Sequence, residues 1–509
     1  MSNNFYALLA VRFRPHAAAV ALETPDGTRY SYATLDRETA RYASLYRALG
    51  LTPGERVAMQ VDKSPQALFA YLGCLRAGLI YLPLNTAYRD LEIDYFLENA
   101  EPKLVVCDPA QRDSVARLAA EHGATQVHTL DAAGRGSLAE AAATQEDEFA
   151  IAAVKNDAVA VILYTSGTTG KPKGAMITHA NLASNGLTLQ QAWGFSSNDV
   201  LLHALPIFHI HGLFVACHVA LLSACKMIFL PKFDVTAVLS ALPHATVFMG
   251  VPTYYTRLLA EPAFGKKHCR SMRLFTCGSA PLLPQTFQEF EERTGHTILE
   301  RYGMTETGMN TSNPLTGPRR AGTVGPALPG VAIRIADDKD DDVATGEVGQ
   351  LLVKGGNVFR GYWRMAEKTA EEFTADGYFR TGDLARQDAD GYVAIVGRAK
   401  DLIISGGFNI YPKEIEGYLD KLDGVLESAV IGVPHPDFGE AVVAMIVCKP
   451  DGSTLTEAGV IAALKSQIAG FKVPKRVFFL PELPRNTMGK VQKNLLRERY
   501  AGVVYVVSI

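Results

Sequence analysis

Cysteine is sparse in this 509-residue chain and poorly placed for cross-linking. The seven residues (Cys74, Cys107, Cys217, Cys225, Cys269, Cys277 and Cys448) are odd in number, scattered, and nowhere spaced C-x-x-C. That argues against a disulfide framework or a cysteine zinc site, and fits reduced, buried thiols in a cytoplasmic protein. Charge of one sign is also lacking: 50 Lys and Arg stand against 53 Asp and Glu, a formal net charge of −3. A nucleic-acid or anionic-membrane partner favours a basic excess, so neither is expected. No apolar run is long and clean enough to span a bilayer. The most apolar stretch, residues 213–230, is interrupted by His218 and Lys226 and reads as a core helix followed by a strand. The first 22 residues lack the charged-then-apolar order of a signal peptide. Their Arg12 and Arg14, with no acid among them, bear a faint likeness to a transit peptide, but a short amphipathic helix of the mature fold is the expectation. Fixed-period repeats and a G-x-S-x-G nucleophile elbow are both missing.

What is present is enough chain for two or more domains. From the start to residue 150, strand and helix patterns alternate. Ser31 precedes an amphipathic run to residue 49, and RVAMQ at 56–60 reads as a strand. Residues 65–77 read as a helix, with strands at 79–84 and 103–107, whereas 132–148 is weakly patterned surface. Strands separated by helices of this length predict parallel α/β layers.

The most informative stretch is YTSGTTGKPKGA at residues 164–175, directly after the apolar run 158–163. Gly167, Gly170 and Gly174 permit backbone conformations that turn amide N–H groups toward one point. Thr165, Ser166, Thr168 and Thr169 add hydroxyls, and Lys171 and Lys173 add positive charge. Many donors, little bulk and compensating charge suit a polyphosphate better than an ordinary surface loop. It is not a Walker A loop, because Pro172 follows the lysine where Ser or Thr is required.

Further strings follow. In HALPIFHIHGLF (203–214), His209 and His211 would share a face if the segment were a strand, but a pair with no third ligand nearby is a weak metal signal. Residues 247–251 read as a strand, and Pro252 can open a helix that carries Arg257 about one turn in. A lone Arg is ordinarily a surface charge. A strand at 274–277 ends in Gly278, Ser279, Ala280 and Pro281, and ERYGMTETGM occupies 300–309. DDKDDD at 337–342 reads as a solvated acidic loop. YFRTGDL (378–384) and GRAKD (397–401) lead into a smaller C-terminal part with strand patterns at 429–433 and 441–447 and helical ones at 412–422 and 460–469. Within PRNTMGKVQK (484–493), Lys490 follows Gly489 in an exposed loop, where a lysine is usually just solvated.

Taken in order over nearly the whole chain, these strings resemble the adenylate-forming family: acyl-CoA synthetases, luciferases and peptide-synthetase adenylation domains. The resemblance implies an α/β fold with a large N-terminal domain of layered subdomains (1–399), a small mobile α+β C-terminal domain (400–509), and a hinge at Lys400. It implies ATP, Mg²⁺ and coenzyme A as cofactor and co-substrates, small-molecule partners, no membrane insertion, and a lysine acetyltransferase and deacetylase acting on Lys490. ATP would be held by Thr165, Ser166, Gly167, Thr168, Thr169, Gly170 and Lys173 of the loop, by Ser279 and Ala280 at the adenine-side turn, and by Glu300, Arg301 and Tyr302. By the same likeness Thr305 meets the AMP phosphate, Glu306 and Thr168 hold Mg²⁺, and Asp383 and Arg398 bind the ribose. Lys490 becomes the adenylation lysine, and Ser405, Gly406 and Gly407 the coenzyme A loop. His211, Ile210, Ser279 and Met304 would wall the acid pocket. Within the family the likeness is greatest to malonyl-CoA synthetases, through the HxHG string, Arg257 in VPT-x-Y-x-R, YGMTET-x-MNTS and PRNTMGKVQK. Arg257 would then grip the second carboxylate of a dicarboxylic acid. Ile210 is a departure, standing where those enzymes carry Thr or Val, and its bulk would tighten the pocket against branched acids if it faces the substrate. The expected reaction is AMP-forming ligation of malonate, with methylmalonate as a second acid, to coenzyme A. The alternatives are a ligase for a short-chain or aryl monocarboxylic acid, an adenylation module, a luciferase-like oxygenase, and a nucleotide-binding scaffold without chemistry. The scaffold predicts loss of Lys490, Glu306 or Asp383, and all three are present.

Overall fold

The computed structural model describes residues 3–124, 126–165, 172–405, 408–435, 438–450, 455–486 and 489–502. Ser166, Gly167, Thr168, Thr169, Gly170, Gly406 and Gly407 lie outside the described residues. The chain divides into two compact units, one of residues 1–332 with 353–379, the other of 333–352 with 380–509. This differs from a boundary at residue 400. The strand Val393–Arg398 packs with the helix Pro412–Leu419, so the segment before Lys400 belongs by compactness with the C-terminal residues.

Two sheets organise the larger unit. One runs Gly361–Tyr362, Lys173–Thr178, Val159–Thr165, Ile80–Pro83, Arg56–Gln60, Leu104–Cys107 and Gln126–Thr129 from edge to edge. The other runs Gly308–Ser312, Ile298–Met304, Leu274–Cys277, Val247–Gly250, Val200–His203, Lys226–Phe229, Val20–Glu23 and Arg29–Ser31. In this second sheet the strands ending at His203, Gly250, Cys277 and the one through Glu300 are mutually parallel. Their carboxyl ends therefore open on one side, which is where α/β sheets bind ligands. The strand cores are nearly continuous apolar runs because helices cover both faces.

The first helix, Phe5–Phe13, is an integral part of this unit. Asn4 caps it, Phe5, Tyr6, Leu9, Ala10 and Phe13 are buried, and the Tyr6 hydroxyl donates to Asp36 at 2.6 Å. Among the described residues no helix is long and apolar enough to cross a membrane.

The C-terminal unit centres on the long antiparallel pair Val425–His435 and Gly439–Cys448. Both strands extend beyond their most apolar stretches, since backbone pairing continues after the apolar pattern lapses. Glu416, on the helix Pro412–Leu419, is buried at 5 % exposure and pairs with Lys493 at 2.6 Å. Burial alone would raise its pKa, but Lys493 and Lys413 outweigh it and the net displacement is downward from 4.5. A depressed carboxylate pKa stabilises the fold above the ordinary value and loses that contribution as pH falls through the lowered one. Glu416→Gln leaves Lys493 without its partner and is expected to cost about 3 kcal/mol at neutral pH. Urea unfolding across pH 3–7 checks this: the gap between wild type and variant should close at the acid end.

Candidate active site

Strand Ile298–Met304 turns at Thr305, Glu306 and Thr307 and returns as Gly308–Ser312. The turn carries Glu306 inside the protein at 5 % exposure. Its Oε1 accepts from Thr165 Oγ1 and from the Tyr362 hydroxyl, each at 3.2 Å. Thr165 closes the strand before the glycine-rich segment, and Lys173 opens the strand after it, paired with Thr165 in register. The buried Lys173 ammonium lies 4.2 Å from the Tyr362 ring centroid and 3.4 Å from Glu372. Burial raises the Glu306 pKa, while hydrogen bonds from Thr165 and Tyr362 and the charge of Lys173 pull it back. A buried carboxylate beside two hydroxyls is a hard-oxygen donor set that fits Mg²⁺. Thr168, the other expected ligand, lies outside the described residues.

The turn is pinned by amides that carried no signal in the sequence. Asn185 donates to the Met309 carbonyl and accepts from the Met309 N–H, both at 3.1 Å. Asn357 Nδ2 reaches the Thr307 carbonyl at 2.6 Å and Asn310 Oδ1 at 3.0 Å. Gly308 adopts φ +59°, and a Cβ there would press on the Asn185 side chain. Tyr362, too, was invisible in the sequence, because an aromatic in an apolar string reads as core.

The residues expected to wall the acid pocket follow or end the parallel strands, and of these His211 and Ser279 are in contact. His209 and His211 do not lie on a strand, which corrects the shared-face reading. His211 instead opens a π-helical turn, His211–Cys217, and His209 Nδ1 accepts its backbone N–H at 3.2 Å. His211 is fully buried, with Nδ1 3.2 Å from Ser279 Oγ and Nε2 without a partner among the described residues. Burial, reinforced by the charge of Arg301, holds the imidazole neutral, far below the usual range. Ser279 sits at φ +72°, a strained conformation for a residue with a Cβ, of the kind that collects at functional sites. Ile210, Phe214, Thr305 and Gly308 line a water-sized cavity of about 20 Å³ with Asn185 and Asn357. Ile210 therefore faces this space. Met304 packs with Phe359 and Tyr362, and Tyr302 directs its hydroxyl toward Met304 Sδ at 3.9 Å. Glu300 accepts from the Leu282 N–H at 3.0 Å, and Ala280 is half-buried beside Ser279. Arg257 is exposed on the helix Pro252–Leu259.

Behind His211, the buried Lys63 ammonium contacts His203 Nδ1 at 2.7 Å, while His203 Nε2 lies 2.8 Å from the Gly212 carbonyl. The Gly212 bond sets Nε2 as donor and leaves Nδ1 to accept from lysine. Burial pushes Lys63 down to about 7.

In the C-terminal unit, Asp383 and Arg398 are cross-strand neighbours joined at 2.6 Å. Lys490 follows Gly489 in a turn closed by Asn486, whose Oδ1 accepts the Lys490 N–H at 2.9 Å. Crowding pushes Lys490 down to about 8, Arg398 and Lys400 repel it, and Asp383 and Asp401 act the other way. Its side chain keeps exposed surface, so water tempers the shift. Ser405 is buried at the end of strand Ile403–Ser405, and Lys400 is exposed in the turn Ala399–Asp401.

The family model of AMP-binding enzymes matches residues 9–363, and that of their C-terminal domain matches residues 414–490. The chain belongs to the AMP-binding enzyme family. Among solved structures, ATP-bound MatB from Rhodopseudomonas palustris is 55 % identical, covers 99 % of this chain and 100 % of its own, and superposes with a TM-score of 0.97. A malonate–CoA ligase from Arabidopsis thaliana is 35 % identical over 93 % of this chain and 85 % of its own length. A feruloyl-CoA synthase from an Amycolatopsis species is 37 % identical over 96 % of this chain and 97 % of its own. The α/β fold with a large N-terminal and a small C-terminal domain, expected from the motifs, is the fold of this family.

Asn357→Ala removes the bonds that fix the turn bearing Glu306 and should cost about 1–3 kcal/mol of stability. ATP affinity measured by calorimetry should fall in the same variant.

Proposed function

We propose that this AMP-binding enzyme joins malonate to coenzyme A at the expense of ATP, releasing AMP and pyrophosphate. The observation that carries the reading is the meeting of Glu306 with Thr165 and Lys173 across the phosphate segment, in the unit that also pairs His211 with Ser279. In the first step a carboxylate oxygen of the acid bonds to the α-phosphorus and the bond to pyrophosphate breaks. In the second, the coenzyme A thiolate attacks the acyl carbon, and the acyl–oxygen bond to AMP breaks. Mg²⁺, held by Glu306 with Thr165 and Thr168 close in sequence or space, would neutralise phosphate charge. Tyr302, Ser279 and Ala280 serve the adenine side, Thr305 the phosphate, and Asp383 with Arg398 the ribose. Lys490 supplies the ammonium for the first step, and Ser405, Gly406 and Gly407 serve the second. Rotation about Lys400 exchanges them, since Lys490 and that loop are carried by one small domain.

Malonate is supported by the ligase from Arabidopsis thaliana. Ile210 should disfavour the α-methyl group of methylmalonate. Arg257, being exposed, is a weak anchor: exposed ion pairs contribute about 0.2–1 kcal/mol. The feruloyl-CoA synthase relative keeps an aryl monocarboxylic acid as the second reading. The buried, free thiols support a cytoplasmic setting. Exposure of Lys490 supports acetylation and deacetylation there, which mass spectrometry of the protein from cells would detect.

Incubation with ATP, Mg²⁺, coenzyme A and separate acids, read by mass spectrometry, should give malonyl-CoA and AMP. Product from a monocarboxylic acid alone would overturn the malonate reading. Arg257→Ala should raise the malonate KM about 2–5-fold, the factor an exposed pair allows. Lys490 is charged below its lowered pKa and neutral above it. Adenylation should therefore decline as pH rises through about 8, and Lys490→Ala should abolish that limb while sparing thioester formation from preformed acyl-AMP.

A further inference from the structure

Two short segments, 484–486 and 489–493, meet around Lys490 in the C-terminal unit. At their base Arg485 bridges to Val491 in antiparallel fashion, and the Gln492 N–H donates to the Pro484 carbonyl at 2.8 Å. Nearer Lys490, the bonds converge on one peptide group. The Lys490 N–H donates to Asn486 Oδ1 at 2.9 Å. The Gly489 carbonyl, which belongs to the same peptide plane, accepts from Arg485 Nη1 at 2.5 Å. The Lys490 carbonyl in turn accepts from the Asn486 N–H at 2.9 Å. A planar peptide held at both its N–H and its C=O cannot rotate freely, so the direction in which the Lys490 side chain leaves the backbone is fixed. Arg485 is itself held, because its Nη2 pairs with Glu427 on the strand Val425–His435. The two side chains are 29 % and 23 % exposed, so water competes with this pair less than at an open surface. Strand pairing shifts between Val425 and Glu427, a bulge of the kind that re-aims a side chain, and the intervening Leu426 is left exposed. Just past Lys490, Lys493 makes its pair with Glu416.

We propose that Arg485, oriented by Glu427, is the positioning residue of Lys490: it clamps the Gly489–Lys490 peptide so that the ammonium is presented for adenylation. The proposal rests on the reading of Lys490 as the lysine of the first step and extends it. Arg485 touches no substrate in this scheme and acts through the backbone. Burial aside, the Lys490 ammonium answers chiefly to Arg398, Asp383, Lys400 and Asp401. Arg485 instead gives its donors to a carbonyl and a carboxylate. With Glu427 to one side, the planar fork is turned so that its other donor meets Gly489, a geometry that a point charge does not enforce. A staple serving stability alone would join two elements of the core. This one joins a strand to the peptide that carries a single exposed lysine. The distinction matters because a lysine stem is long and flexible, and a reacting group misplaced by about 1 Å costs about 100-fold in rate. Only the first step is concerned, since thioester formation does not use Lys490 in this scheme.

The test compares acid-dependent exchange of labelled pyrophosphate into ATP, thioester formation from the preformed acyl-AMP, and the melting temperature. It uses the full chain as wild type, Lys490→Ala, Arg485→Met, Arg485→Lys and Glu427→Gln. A wild type without malonate-driven exchange would refute the malonate reading, and the pair is then tested with the acid that does drive exchange. Exchange retained in Lys490→Ala would refute the reading of Lys490 itself. With that reading standing, Arg485→Met, which keeps the apolar stem, should slow exchange about 100-fold and leave thioester formation as in wild type. Glu427→Gln should slow exchange less. Arg485→Lys should recover part of the loss, because an ammonium can still donate to one of the two partners. Exchange at the wild-type rate in Arg485→Met would overturn the proposal. So would a fall in both half-reactions together with a lowered melting temperature, which would make the pair structural. If Arg485→Met does not fold, Glu427→Gln decides: slowed exchange with intact thioester formation supports the proposal, and unchanged exchange overturns it.

Discussion

Charge taken out of water without full compensation is the constraint around which the larger unit is built. Glu306 is carried into the interior by a tight turn, and Arg301 by the strand that leads into it. Each is costly alone, and a protein of ordinary marginal stability can carry few such groups. Their positions are therefore informative. Glu306 is softened by two hydroxyls and the nearby Lys173, a setting that would suit a hard cation. Arg301 has no such relief for its Nε and Nη2 among the described residues.

The sheets explain how these groups come together. Four parallel strands deliver their carboxyl ends to one side; the segments after the first three supply His211, the Arg257 helix and Ser279, and the fourth itself carries Arg301. The hairpin then folds back so that Asn185 and Asn357 can hold its tip through backbone carbonyls. Such amides act by position and not by charge, and they hold the turn from which Glu306 reaches Thr165. Neutral His211 fits the same scheme: an imidazole kept uncharged by burial meets Ser279 Oγ without adding a second cation beside Arg301.

Much of this was legible from residues alone. Periodicity located the helices Tyr32–Ala48 and Pro65–Ala77 and the strand Arg56–Gln60 to within a residue or so, because caps and proline mark their ends. The glycine-rich segment, the Glu306 string and the Asp383–Arg398 pair stood out because they are unusual residue combinations, and the family model spans the first two. What sequence could not give was direction. Nothing in ERYGM says that Arg301 turns toward Gly278 while Glu300 turns toward the Leu282 N–H; that follows only once the strand is seen in place. The two histidines looked strand-like by spacing, yet a π-helical turn places them differently. Asn185, Asn357 and Tyr362 join the site from distant segments and carry no local signature. The unit boundary differed for a similar reason: packing of the helix Pro412–Leu419 on Val393–Arg398 is a tertiary fact that a hinge motif does not reveal.

The central claim is that this protein activates malonate as an adenylate before coenzyme A takes part. Exchange of labelled pyrophosphate into ATP, run without coenzyme A, isolates that step. The account predicts exchange that depends on malonate and vanishes when malonate is omitted or replaced by propionate. Exchange driven equally by propionate, or no exchange with malonate under conditions that still form a thioester, would contradict it.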